Sequence, residues 1–317
     1  MGRLVEGEWL AKGPDPRKKT GKFLRADAKM RNWVTADGSS GFPAEAGRYH
    51  LYVSHACPWA HRTIIYRHLK GLDDAISHSY VEPLMLENGW QISDGEGPVE
   101  GARFMYHVYL AADSNYSGQC SVPVLWDKVQ KTIVSNESSE IIRMLNSAFD
   151  GIANGAVDYY PEAHRDEIDA VNILTYDNIN NGVYRSGFAL TQEAYEEAVT
   201  QVFNALDEVE QRLSQHRYLV GNQITEADWR LFPTLVRFDA VYHGHFKCNI
   251  RRIADYPNVW NYLLDLFQQP GIADTVFIDK IKQHYYGSHE TVNPTRIVPM
   301  GPEIDFWQTH NRDRFSS

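Results

Sequence analysis

One thiol stands where a chain can make it reactive. Tyr49-His50-Leu51-Tyr52-Val53 places apolar residues at period two, the pattern of a strand, and leads through Ser54-His55-Ala56 into Cys57-Pro58. From Pro58 the residues Trp59, Ile64, Ile65, Tyr66 and Leu69 fit a helical face, and Lys70-Gly71 supplies a cationic last turn and a C-cap glycine. Proline suits the first helical position because its missing N–H would have had no partner there. Cys57 is therefore expected at the N-cap, where unpaired N–H groups and the helix dipole favour negative charge. Such a site lowers a thiol pKa from about 8.5 by one to several units, and the thiolate is the nucleophile. Ala60 stands where a second redox cysteine would be, so a disulfide at Cys57 needs an outside thiol to resolve it.

The elements that must hold this thiol follow in order. A second strand is expected near 76–81, then an irregular insertion over 83–119, long enough to be functional. A hairpin of strands 122–126 and 132–134 turns at Asp127-Lys128, and a helix starts near Glu137 with Ile141, Ile142, Met144, Leu145 and Phe149 inward. That order, with a thiol opening the first helix, is the thioredoxin plan. Ser121-Val122-Pro123-Val124 agrees with it: proline within a strand demands a special position, and such folds hold a cis peptide facing the thiol. Asn136-Glu137-Ser138-Ser139 suits a zwitterionic γ-glutamyl group, with Ser138 and nearby amides for its carboxylate and Glu137 for its ammonium.

Beyond about residue 150 the strand signals stop. Thr191 can cap a helix whose inner face is Tyr195, Ala198, Val199, Val202, Phe203, Leu206, Val209 and Leu213. Thr225 and Asp228 resemble a capping box before Trp229, Leu231, Phe232 and Leu235, and a further helix runs from Val259 to Phe267. The expected architecture is an α/β thioredoxin-like N-terminal domain followed by an all-α C-terminal domain. Its parts are an extension over 1–46, the α/β domain over 47–150, a linker over 151–165, the helical domain over 166–289 and an extension over 290–317.

Composition narrows the function. The 317 residues carry a net charge of −10, which argues against general nucleic-acid binding. The basic run from Arg17 to Arg31 reads as solvated. The three cysteines, Cys57, Cys120 and Cys248, suggest no disulfide framework, and no apolar stretch has membrane-helix length. A reducing cytoplasm is the expected home. The 18 tyrosines and 8 tryptophans point to aromatic-lined pockets.

Taken together, Cys57-Pro58-Trp59-Ala60-His61-Arg62, Glu87-Asn88-Gly89-Trp90, Val122-Pro123-Val124-Leu125-Trp126-Asp127, Ser135-Asn136-Glu137-Ser138, Asn180-Asn181-Gly182-Val183-Tyr184 and Ala240-Val241-Tyr242-His243 resemble the xi-class glutathione transferases, the glutathionyl-hydroquinone reductases. The resemblance covers essentially the whole chain. It implies Cys57 as nucleophile, Trp90, Gln119, Val122, Glu137 and Ser138 around glutathione, and Tyr184, Tyr242 and Tyr285 around an aromatic substrate, with Tyr184 and Tyr285 also catalytic. Gln119 departs from the basic residue expected there, and Arg103 or Lys128 is expected to compensate. The resemblance implies glutathione as co-substrate, quinone-derived conjugates as substrates, no metal and a homodimer. An omega-like thiol transferase or dehydroascorbate reductase, and a non-catalytic interaction module of the same fold, are the rival readings.

Several residues have simpler roles. Cys120 and Cys248 are expected to be buried and unreactive. His243-Gly244-His245 with Cys248 has loose spacing and no fourth ligand, so it is not read as a metal site. Asp228 is read as a helix cap.

Overall fold

The computed structural model describes residues 2–13, 15, 17–153 and 157–315. Positions 154–156 of the expected linker, and 1, 14, 16, 316 and 317 of the extensions, lie outside the described residues. The elements run β1 (Arg3–Val5), β2 (Glu8–Leu10), α1 (Arg17–Thr20), β3 (Tyr49–Val53), α2 (Pro58–Leu69), β4 (Ser77–Tyr80), α3 (Met105–Ala112), β5 (Val124–Asp127), β6 (Thr132–Ser135) and α4 (Ser138–Ser147). They continue with α5 (Arg165–Thr175), α6 (Gly182–Gly187), α7 (Gln192–Gln215), α8 (Glu226–Arg237), α9 (Pro257–Phe267) and α10 (Ile278–Ser288), with short single turns between. Two compact units divide the chain: Met1–Pro14 with Asp27–Asp158, and Asp15–Ala26 with Tyr159–Ser317. The leader is thus shared between them.

In the first unit a four-stranded sheet has the order β4-β3-β5-β6. Strands β3 and β4 are parallel, which requires a crossover, and α2 supplies it. The β3–β5 and β5–β6 pairs are antiparallel. All five residues of β3 are buried, His50 and Tyr52 included, so the strand is covered on both faces rather than one. His50 adapts by bonding Ser77 Oγ at 2.8 Å, and burial pushes its pKa down to about 3. Buried Asp127 ends β5; its Oδ1 accepts the Val129 and Gln130 amides to form the turn, and its Oδ2 receives Arg48 at 2.6 and 2.9 Å.

The insertion expected to be irregular contains α3. Its Met105, Val108 and Tyr109 are buried at positions i, i+3 and i+4, a stripe only two turns long. The N-terminal extension also holds structure that sequence periodicity missed. Strands β1 and β2 are three residues each and join through Glu6 (φ 49°) and Gly7 (φ 81°). A two-residue hairpin turn with positive φ at both positions matches the strand twist, and glycine meets that demand without strain.

The second unit is helical. Thr191 Oγ1 accepts the Ala194 amide at 3.2 Å, and the inward face of α7 is buried from Ala198 to Leu213. Tyr195 departs from that face, half-buried, its hydroxyl donating to the Lys247 carbonyl at 2.7 Å. Helices α5 and α8 each end in a π turn, at Tyr176–Asn180 and Phe238–Tyr242. Each wide turn shifts the direction of the side chains that follow. Buried Asn180 donates to Thr234 Oγ1 at 2.7 Å, tying the first π turn to α8.

Candidate functional site

Cys57 is the N-cap of α2, with extended backbone (φ −75°, ψ 120°) and Pro58 next. It is half-buried, and its Sγ lies 3.5 Å from the carbonyl oxygen of Val122. That neighbour is a consequence of register. Tyr52 pairs with Val124, so the chain leaving β3 toward Cys57 passes the chain entering β5 from Val122. The Val122–Pro123 peptide is cis. Just upstream, His55 stacks on Tyr80 with centroids 3.6 Å apart.

The loops around the thiol are held by α3. The Tyr109 hydroxyl donates to the Ser121 carbonyl at 3.0 Å and receives Asn136 Nδ2 at 3.0 Å. One buried side chain therefore anchors both the approach to Val122 and the approach to α4. Burial raises the Tyr109 pKa, so it stays a neutral donor.

At α4, Glu137 is the N-cap; its Oε1 accepts Ser139 N at 2.9 Å and Ser139 Oγ at 2.8 Å. Ser138 is buried, and Arg62 Nη1 approaches its hydroxyl at 3.5 Å. Arg62, on α2, is itself buried and stacks over Trp59 with its Cζ 4.5 Å from the ring centroid. Trp90 is 8% exposed, and its carbonyl receives the Met105 amide at 2.9 Å. Gln119 is exposed, and its carbonyl accepts the Tyr116 hydroxyl at 3.3 Å.

The two residues expected to compensate for Gln119 lie in different places. Lys128 follows Asp127, which pairs with Tyr49 at the start of β3, and its Nζ meets Ser77 Oγ at 3.5 Å. That is the far end of β5, about 13 Å of strand from Val124. Arg103 is exposed, its carbonyl receives the Ile92 amide at 3.0 Å, and it is therefore next to Trp90.

In the second unit the three expected tyrosines meet. Tyr285 is the hub: its hydroxyl lies 2.5 Å from that of Tyr184 and 3.0 Å from that of Tyr242. Tyr242 and Tyr285 are 0% and 1% exposed, and burial drives both pKa values far up, keeping them protonated. Tyr184 is half-buried, the one of the three with part of its surface open to solvent. The π turns deliver two of them: Tyr242 closes the second, and Tyr184 follows the first by four residues. Gly182 allows this packing, because a Cβ there would lie 2.7 Å from Val202 Cγ2 on α7.

Among the described residues no group of three or more His, Cys, Asp or Glu side chains could hold a metal ion. His245 pairs with His289, Nε2 to Nδ1 at 3.1 Å, and burial lowers its pKa to about 4. Cys120 and Cys248 are buried, and burial raises each thiol to about 12.

Two family models match: "Glutathione S-transferase, N-terminal domain" over residues 56–148, and "Glutathione S-transferase, C-terminal domain" over residues 192–264. The glutathionyl-hydroquinone reductase YqjG of Escherichia coli (strain K12) is 55% identical over 324 residues, covering 99% of each chain. The glutathionyl-hydroquinone reductase PcpF of Sphingobium chlorophenolicum is 53% identical, covering 95% of this chain and 96% of its own. The xi-class transferase structure from Natrialba magadii superposes with a TM-score of 0.93 at 47% identity, over 99% of this chain and 97% of that one. This chain belongs to the xi-class glutathione transferases.

The glutathione-bound structure of E. coli YqjG also matches this transferase, with a TM-score of 0.90 at 53% identity over 98% of this chain and 99% of that one. Reasoning from sequence missed three residues of the transferase. Arg62 lies inside the thiol motif, five residues after Cys57, and its burial beside Ser138 is visible only in the fold. Tyr109 was hidden because α3 was not foreseen. Arg25 lies in the basic run, whose composition alone implies a solvated segment, yet its Cζ sits 4.8 Å above the Tyr184 ring and its Nε donates to Asn181 Oδ1 at 2.7 Å.

Proposed function

We propose that this xi-class transferase reduces glutathionyl-hydroquinones through Cys57. The Cys57 thiolate attacks the sulfur of the conjugate, so an S–S bond forms as the ring C–S bond breaks. In the keto tautomer of the ring, the released electron pair moves onto the adjacent carbonyl oxygen. The resulting aryl oxide takes one proton and leaves as hydroquinone. A second glutathione, as thiolate, then attacks the mixed disulfide, giving glutathione disulfide and regenerating the Cys57 thiolate. Ping-pong kinetics follow from the two half-reactions.

The single observation behind this reading is the placement of Cys57 at the N-terminus of α2 beside the Val122 carbonyl, in a chain 55% identical to a named reductase along its whole length. Glutathione is assigned to Trp90, Gln119, Val122, Glu137 and Ser138, with the Val122 backbone pairing with the peptide as an added strand does. Arg62 and the first turn of α4 favour its γ-glutamyl carboxylate. The ring oxygens are assigned to Tyr184, backed by Tyr285 and Tyr242, which stabilise the tautomer and the aryl oxide. The three free thiols suit a reducing cytoplasm, and a homodimer is the proposed assembly.

A second reading has one observation in its favour. A relative in Schizosaccharomyces pombe named "Glutathione S-transferase omega-like 2" is 45% identical, covering 91% of this chain. Turnover of a glutathionyl-hydroquinone and of dehydroascorbate should be compared for the wild type and Cys57→Ala. The proposal expects the first substrate to be strongly preferred and Cys57→Ala to lose at least about a thousandfold of that rate. Preference for dehydroascorbate, or activity that survives in Cys57→Ala, would overturn it.

A further inference from the structure

The N-terminal hairpin buries little of itself, yet it is bound to both segments that carry the proposed glutathione-binding residues. On one side, Leu4 exchanges two backbone hydrogen bonds with Gly118, at 2.9 and 3.0 Å. Gly7 N donates to the Tyr116 carbonyl at 3.2 Å, and Glu6 N to Ser117 Oγ at 2.8 Å. The hairpin thus pairs with residues 116–118, immediately before Gln119 and four positions before Val122. On the other side, Trp9 Nε1 donates to the Glu87 carbonyl at 3.2 Å. A Cβ on Gly89 would lie 3.0 Å from the Trp9 ring, so the indole packs directly against the residue preceding Trp90.

The same indole stacks on Tyr106 at 4.7 Å and 18°, and Tyr106 stacks on Phe104 at 5.6 Å and 5°. This ladder of rings runs from the hairpin to the start of α3, whose Met105 amide holds the Trp90 carbonyl. Loop residues lose conformational entropy when a ligand must order them, and cross-links that pre-order the loop reduce that cost. Here the cross-links come from residues 3–10, far away in sequence.

We propose that Trp9 is a positioning residue: the N-terminal hairpin clasps residues 87–90 and 116–119 together and so sets the two walls that receive the glutathionyl group. This rests on the assignment of Trp90, Gln119 and Val122 to glutathione. Leu4 supplies the strand edge and Trp9 the aromatic bolt. Their contacts are with these two loop segments, so the clasp acts on binding and leaves the thiol chemistry alone.

The test uses full-length Trp9→Ala, with Trp9→Phe as the conservative variant and Trp90→Ala as the control for the subsite itself. In Trp9→Ala, KM for both glutathione and the glutathionyl-hydroquinone is expected to rise roughly three- to tenfold, since both bring the same tripeptide. The kcat and the rate of Cys57 alkylation by iodoacetamide should stay within about twofold. Trp9→Phe, which keeps the stack, should restore most of KM. Amide exchange should quicken at 87–90 and 116–119 in Trp9→Ala while α2 keeps its protection. An unchanged KM in Trp9→Ala would overturn the inference, as would a rise in KM accompanied by falls in kcat and alkylation in step with a loss of folded protein. Failure of Trp90→Ala to raise KM would instead reject the glutathione assignment beneath it.

Discussion

At the scale of residues, chemistry depends on which groups are held charged and which neutral. Cys57 is at the end of a helix that favours an anion, whereas Cys120 and Cys248 are buried and pushed to about 12. One chain therefore carries a half-buried thiol at a helix start, the proposed nucleophile, and two buried thiols held protonated for a clear physical reason. Tyr285 illustrates the opposite strategy. Its hydroxyl bridges those of Tyr184 and Tyr242, and burial keeps it protonated. Removing that oxygen breaks the chain of donors behind Tyr184. Tyr285→Phe should lower kcat for glutathionyl-hydroquinone about 10- to 100-fold. Reduction of a preformed Cys57–glutathione disulfide by glutathione should be unchanged, since no ring oxygen is involved. Equal losses in both half-reactions, followed by stopped flow, would remove the tyrosines from the aryl step.

At the scale of elements, caps and turns fix where the functional side chains point. Asp228 does more than close its helix. It accepts Thr225 N and Oγ1, the Leu219 amide and the Tyr262 hydroxyl, joining α8, the loop before it and α9. Burial raises its pKa from 3.8 to about 6, against the pull of those donors. The folded state thus holds the proton more tightly than the unfolded chain. Its contribution to stability is fully present below pH 3.8 and is lost as pH rises from about 4 through 6. Asp228→Asn cannot titrate and has a single acceptor oxygen. Its Tm should be several degrees lower at pH 7, and the fall in Tm between pH 4 and 6 should flatten relative to wild type. Parallel Tm curves for the two proteins across that range would contradict this account of Asp228.

At the scale of the whole molecule, the chain's two ends are fastened by different means. The N-terminal hairpin is held by backbone pairing and one indole. The C-terminal strap is held by Arg312, fully buried, whose guanidinium donates to the carbonyls of Leu213, Arg217 and His216. Arg312→Ala leaves three carbonyls near the end of α7 without that donor, at a cost of about 2–4 kcal/mol. Calorimetry should show Tm lower by roughly 5–10 °C, and a change under 2 °C would mean that the strap is only loosely docked. How much of this was legible in the sequence follows from how local each signal is. Pro58 after Cys57, Thr191 before α7 and the Thr225–Asp228 pair all act within one turn, and each stands where the sequence implies. Helix α3 was not legible because its stripe spans two turns amid aromatic residues, and β1–β2 because three-residue strands carry no periodicity. The burial of His50 and Tyr52 depends on what covers the second face of the sheet, which no alternation within β3 encodes. The meeting of Tyr184, Tyr242 and Tyr285 came from family resemblance, since it depends on two π turns far apart in the chain.

In the proposed mechanism one sulfur carries the glutathionyl group between two partners. Wild-type protein should be mixed with a stoichiometric glutathionyl-hydroquinone, without free glutathione, and its intact mass and peptides measured after one turnover. The account predicts free hydroquinone in equal amount and a single glutathione on Cys57, released as glutathione disulfide when glutathione is added. Hydroquinone formed with Cys57 unmodified, or the adduct on Cys120 or Cys248, would contradict it.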